Sequence, residues 1–162
     1  MDKKMMVSGV LLTIVMIGQI LSAVLLYDPQ ANALRINVGW GVMMLSALFG
    51  WLPIFTFRKK GEVECKGYIH TTVLVNSGVY RIVRHPQYLA GILINIALTL
   101  ITLHWLVAIL GLIAILILYR NTYEEEKGCV EKFGDQYKAY RQTVPRLNFL
   151  LGIWRMIEHK FR

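Results

Sequence analysis

Between Tyr88 and Tyr119 the chain runs for 32 residues without an Asp, Glu, Lys or Arg. As one helix this stretch would reach about 48 Å, against a hydrocarbon layer of about 30 Å. The run therefore has to fold back on itself. Thr102-Leu103-His104-Trp105, polar and interface-seeking near its middle, marks the bend. His104 lies 18 residues after Pro86, and the same step onward reaches Thr122. The residues before Pro86 and those after Thr122 are thus expected at one membrane face.

Two further uncharged runs precede this hairpin. Met5 to Tyr27 is 23 residues long, enough to span a bilayer and too long for the core of a secretory signal. Ile36 to Phe57 is the second; it is interrupted by Pro53, and Ser46 and Gly50 give it a small-residue face for close packing. With 56% hydrophobic and 17% charged residues, the composition excludes an ordinary soluble domain. The reading is an all-α integral membrane protein with four transmembrane helices, divided into 1–57 (two N-terminal spans) and 58–162 (the functional part). The net charge of +8 does not point to nucleic acid, because the cations flank the apolar runs instead of lining one polar face. Lysines and arginines number two before the first span, one in the first loop, six before the hairpin and nine after it. That alternation puts both termini and the long loop in the cytoplasm.

The loop from Arg58 to Gln87 contains a β-prone stretch, Ile69 to Val75, followed by the turn signal Asn76-Ser77-Gly78. It is too long for a plain connection and is expected to form a lid or pocket wall. Beyond the hairpin, Val130, Phe133, Tyr137, Tyr140 and Val144 recur at spacings of three and four, predicting a separate amphipathic helix on the membrane surface. The tail from Leu147 to Ile157 is apolar but too short to span, with Trp154 and Arg155 suited to an interfacial anchor. Cys65 and Cys129 have no companion at metal-ligand spacing, so they read as reduced thiols and no metal site is expected.

The chemistry concentrates at the expected hairpin mouth. Pro86 is suited to the first turn of a helix and His85 to its cap, and a helix start favours anions. Arg84, Tyr80 and Tyr88 crowd the same stretch, while Glu124-Glu125-Glu126 arrives from the other arm. A ligand carrying both a cationic centre and a carboxylate suits opposite charges gathered in this way. S-adenosyl-L-methionine (SAM), a sulfonium with a ribose diol, has that character.

Leu74-Val75-Asn76-Ser77-Gly78-Val79-Tyr80, Arg84-His85-Pro86-Gln87-Tyr88, Glu124-Glu125-Glu126, Phe133-Gly134-Asp135-Gln136-Tyr137, Tyr140 and Val144-Pro145-Arg146 occur in that order. Together they resemble the isoprenylcysteine carboxyl methyltransferase family and its prokaryotic and phospholipid-methyltransferase-like relatives. The likeness covers roughly residues 70–146; the first two spans carry none of it. It implies a membrane enzyme that uses SAM to methylate a lipophilic acceptor, carboxyl O-methylation being the favoured chemistry. By motif position, Leu74, Val75 and Tyr80 would line the cofactor pocket. His85, Pro86 and Tyr88 would hold the methionine part, with Glu125, and next to it Glu124 and Glu126, meeting the cofactor from the acidic run. The catalytic, acceptor-side position falls at Asn121, beside Arg120. Family members acting on prenylcysteine carry an arginine where this chain has Asn121. A glycine common two positions after the tyrosine is Ala90 here, with Gly91 one step later.

Two other functions fit parts of the pattern. An NADPH-dependent membrane reductase of the sterol-reductase type resembles the Arg-His-Pro-x-Tyr stretch, but three consecutive glutamates oppose a 2′-phosphate. A non-enzymatic four-helix membrane protein would leave the charged cluster at the hairpin mouth unexplained.

Overall fold

The computed structural model describes residues 3–30, 32–60 and 74–161, and the side chains among them other than those of 57–60 and 159–161. Its elements are α1 (Lys3–Leu25), α2 (Ala33–Lys60), a 3-10 turn (Gly78–Arg81), α3 (Pro86–Thr102), α4 (Trp105–Thr143) and α5 (Phe149–Phe161). No strand occurs among the described residues. The all-α membrane architecture is the one expected from the apolar runs: α1, α2 and α4 are long and apolar enough to cross a bilayer, and α3 is a shorter apolar helix of 17 residues.

The hairpin bends where the polarity of the run predicts. Leu103 takes a left-handed backbone (φ 49°), a conformation costing a non-glycine residue about 1–2 kcal/mol. His104 Nδ1 then accepts from the Leu106 amide at 3.2 Å and caps the start of α4. From Trp105 to the break at Gly134 α4 runs about 43 Å, and its residues up to Tyr119 carry no Asp, Glu, Lys or Arg, a stretch long and apolar enough to cross a bilayer. The amphipathic segment is divided by a break at Gly134 (φ 53°, ψ −128°), a backbone region open to glycine: Val130 and Phe133 lie at the end of the long arm of α4, and Tyr137 and Tyr140 on a separate short helix beyond the kink. No proline interrupts the sequence between hairpin arm and surface segment, so nothing stops the helix earlier. The expected lid lies mostly in 61–73, outside the described residues; Leu74, Val75 and Asn76 are irregular.

The residues group into two compact units: 1–48 with 88–124, and 49–87 with 125–162. In the first, α1 is largely apolar on its exposed side and buries Gln19 and Ala23. The Gln19 amide donates to the backbone carbonyls of Asn95 and Val107 at 3.1 and 3.2 Å, tying α1 to both hairpin arms. Ser46 Oγ donates to the Ala90 carbonyl at 2.7 Å, fastening the small-residue face of α2 to α3. Arg35 reaches the Ile101 carbonyl at 3.3 Å, a cation at the C-terminal end of α3. Gly91 faces the side chain of Leu118, so the two arms run side by side as the residue count required.

In the second unit α5 is capped by Asn148, whose Oδ1 accepts from the Leu151 amide at 3.0 Å. Phe149 packs on Phe49 with ring centres 5.3 Å apart. Gly152 sits directly against the Ile82 carbonyl, a contact that leaves no room for a Cβ. Arg155 donates to the carbonyls of Gln142 and Thr143 and so closes the C-terminus of α4.

Candidate functional site

In the second unit the turn Gly78–Arg81 hands the chain to a short irregular stretch that ends at Pro86. That stretch is zipped to the segment after α4: the Arg84 amide donates to the Pro145 carbonyl at 3.0 Å and the His85 amide to the Arg146 carbonyl at 3.2 Å. Val83, fully buried, and Val144 anchor the two strands of chain. This pairing sets Arg84, His85 and Arg146 side by side.

All three side chains converge on Glu126. Arg146 grips it with a two-pronged contact, Nε donating to Oε1 at 2.9 Å and Nη2 to Oε2 at 2.7 Å. His85 Nε2 donates to Oε1 at 3.2 Å, and Arg84 Nη1 lies 2.8 Å from the same oxygen. Arg141 Nε is 3.8 Å from Oε2. Burial alone would raise the Glu126 carboxyl, but the bonds from His85 and Arg146 and the charges of Arg84 and Arg146 outweigh it and hold it at about 2. Glu126 is 3% exposed and is a permanent anion committed to its cations. Its neighbour Glu125 is half exposed, with Oε1 3.9 Å from His85 Nδ1. Of the acidic run in this unit, it is the carboxylate turned outward.

Beside the ion cluster lies an aromatic core of Tyr137, Tyr140 and Val144, with Leu74, Cys129, Val130 and Phe133 packed on it. The Tyr140 hydroxyl donates to the Tyr80 carbonyl at 2.6 Å. Burial pushes the phenols of Tyr80, Tyr137 and Tyr140 far above their ordinary value, with nearby negative charges adding to it, so these groups stay protonated. Burial and the Glu125 charge likewise raise the Cys129 thiol, which makes it a packing residue and a poor nucleophile. A groove of about 370 Å³ opens here, lined by Leu74, Asn76, Gln136, Ala139, Tyr140 and Thr143. Its lining combines the apolar side chains of Leu74 and Ala139 and the Tyr140 ring with two amides and a hydroxyl.

Of the residues singled out by sequence, His85, Glu125 and Glu126 come together as described. Leu74 lines the groove, half-buried Val75 follows it in the chain, and Tyr80 contributes its backbone carbonyl. Pro86 is fully buried as the first residue of α3, with Tyr88 half-buried in the same turn. Tyr88, Arg120, Asn121 and Glu124 belong to the first compact unit. There Asn121 Oδ1 accepts from the Ser8 hydroxyl at 2.7 Å, while Arg120 and Glu124 are exposed on α4. Arg141, Arg146, Tyr137 and Tyr140 were not assigned to the site by sequence. The signal that points to Arg146 is its place directly after Val144-Pro145: a proline that cannot continue the helix, so the residues beyond it leave their backbone groups open to pair with another segment.

A family model described as phospholipid methyltransferase matches residues 34–136. The match runs from α2 through the hairpin and the acidic run to the residues just after Gly134. It takes in the second span, which carried no part of the likeness noted in the sequence. Among proteins of curated function, none matches the chain.

Proposed function

The chain belongs to the phospholipid methyltransferase family, a family of membrane methyltransferases, and we propose that it transfers a methyl group from SAM to a phospholipid acceptor in the bilayer. The observation that carries this reading is the pairing of the family match with a charged cluster and a groove with an aromatic wall in the same compact unit. A bound sulfonium supplies an activated methyl carbon, so the protein's task is alignment and exclusion of water. Glu125, exposed beside His85, is the carboxylate available to a ribose diol or an ammonium. Glu126 is saturated by its arginines and acts by holding His85 and Arg84 in place. Leu74 and the Tyr140 ring form the wall on which an adenine would lie. Protonated phenols nearby can donate hydrogen bonds but cannot serve as bases.

The carboxyl acceptor suggested by the resemblance has weaker support. Asn121 is neutral, and its amide oxygen is already occupied by Ser8, so the position offers no cation to a carboxylate. The charge count of the loops supports a cytoplasmic site and cytoplasmic termini.

Calorimetric titration of the detergent-purified chain with S-adenosylhomocysteine and with NADPH tests the cofactor. Binding of the first, lost in Glu125→Gln, supports the reading; binding of NADPH alone, or of neither, overturns it. Transfer of radiolabelled methyl to vesicles containing phosphatidylethanolamine, compared with a prenylated cysteine, tests the acceptor. Label in the prenylcysteine alone would refute the phospholipid assignment.

A further inference from the structure

The C-terminal helix α5 lies outside the stretch matched by the family model, and it carries two apolar faces. The inner one is Phe149, Gly152 and Ile153. Phe149 packs on Phe49 of α2 and Gly152 on the Ile82 carbonyl, so protein covers this side. The outer one is Leu150, Trp154 and Ile157, at the four- and three-residue steps that align side chains along a helix. These three are 67%, 68% and 48% exposed. Arg155 and Glu158, three residues apart, gather the polar character of this stretch on one edge between the two faces. Arg155, which the sequence pairs with Trp154 as an anchor, turns instead to the carbonyls of Gln142 and Thr143. The outer face is thus left to apolar side chains alone.

The position of α5 says what covers that face. The apolar span of α2 runs to Thr56, and Phe49, on which α5 begins, lies seven residues earlier, about 10 Å back along the axis. In the same part of α2 the large apolar side chains of Trp51, Leu52 and Phe55 are exposed, as on a helix facing lipid. So α5 starts at a depth where its neighbour is still a membrane helix. With 13 residues α5 is about 20 Å long, too short to cross a hydrocarbon layer of about 30 Å. It therefore has to lie along the boundary. An apolar face with a polar edge is the pattern of a helix seated in the interface, and tryptophan is enriched at that level.

We infer that the outer face of α5, formed by Leu150, Trp154 and Ile157, is a membrane-docking surface that seats the helix at the boundary between headgroups and acyl chains beside the end of α2. Its partner is the apolar margin of the bilayer and not a headgroup held as a ligand, and the inference does not depend on the methyltransferase reading. Gly152 and Arg155 fasten the other side of the same helix to Ile82 and to the end of α4, so docking ties the segments around the ion cluster to the membrane surface.

The test uses the full chain in phosphatidylcholine nanodiscs and the fluorescence of Trp154, taken as the difference between the wild type and Trp154→Phe so that the other tryptophans cancel. Three quenchers are compared: lipids brominated near the glycerol, lipids brominated near the chain ends, and acrylamide in the water. The expected result is loss of most of the Trp154 emission to the shallow bromines, with smaller losses to the deep bromines and to acrylamide. In Leu150→Ser/Ile157→Ser, both positions facing outward and helical content serving as a check of the fold, acrylamide should become the stronger quencher. Quenching of the wild type chiefly by acrylamide places the face in water and overturns the inference. Quenching by none of the three means that protein, such as a second copy of the chain, covers the face, and overturns it equally. Stronger quenching by the deep bromines overturns the interfacial position, and an unchanged response in the double variant overturns the assignment of the face.

Discussion

Replacing Glu126 by Gln keeps the shape of the side chain and removes the charge on which Arg84, His85, Arg141 and Arg146 converge. Removing one partner of a buried ion pair costs about 3–5 kcal/mol, because the charge left behind has no counter-ion and little water. Arg84, with 8% of its side chain exposed, would be left in that position, whereas Arg146, at 19%, can be partly rescued by solvent. The expected loss is therefore at the low end, about 3 kcal/mol, a large share of the 5–15 kcal/mol typical of folded domains. Equilibrium unfolding in mixed SDS–maltoside micelles, followed by far-ultraviolet circular dichroism, reads it. The pH dependence gives a second, signed check. The Glu126 carboxyl is held at about 2 in the fold against 4.5 ordinarily. A depressed carboxyl stabilises fully above its unfolded value and loses that contribution as the pH falls through its folded one. The gap between wild type and Glu126→Gln should thus be flat above about pH 5 and close between about pH 4.5 and 2. A loss under about 1 kcal/mol, or a gap that persists at the acid end, would refute the view of Glu126 as the charged centre of this unit. So would simple additivity of Glu126→Gln with Arg146→Gln, since residues in direct contact should couple.

Three other substitutions probe the scaffold. Tyr140→Phe removes the donor to the Tyr80 carbonyl and should cost about 1–2 kcal/mol in the same unfolding assay, with helical content unchanged. Gly152→Ala pushes a methyl group into the Ile82 carbonyl; a loss of about 1–3 kcal/mol is expected, together with faster tryptic cleavage after Arg155, and normal stability would show that α5 can lift away freely. Gln19→Leu deletes the amide bridging the Asn95 and Val107 carbonyls. Interhelical bonds in a membrane are worth about 0.6–2 kcal/mol, and Thr99 still donates to the Asn95 carbonyl, so a loss of about 1 kcal/mol is expected.

The hairpin was legible in the sequence because a long uncharged run has few options in a bilayer, and Thr102-Leu103-His104-Trp105 supplied the local break. The lateral contacts were less legible. Gln19 is one polar residue in an apolar run, and nothing in its neighbours names the carbonyls of Asn95 and Val107 as its partners. The surface segment was readable as an amphipathic face, but the point where it separates from the hairpin arm was not, since Gly134 permits a break without demanding one. Arg146 could be seen only as the residue after a proline; its approach to Glu126 depends on backbone pairing between residues about sixty apart, which no periodicity records.

The acidic run shows the same limit within three residues. Read as a string, Glu124, Glu125 and Glu126 form one negative patch opposite Arg84 and His85. On a helix they step round the axis by about 100° each, so the three cannot face the same surroundings, although Glu125 and Glu126 both reach His85. Glu124 is exposed, Glu125 half exposed beside His85, and Glu126 buried among the arginines. The run therefore divides into a carboxylate that builds the site and one that can meet a ligand. A charge-neutral change at Glu125 should touch binding with little effect on folding, while the same change one residue later should do the reverse first. If both substitutions lowered stability alike, the division of labour along this turn would be wrong.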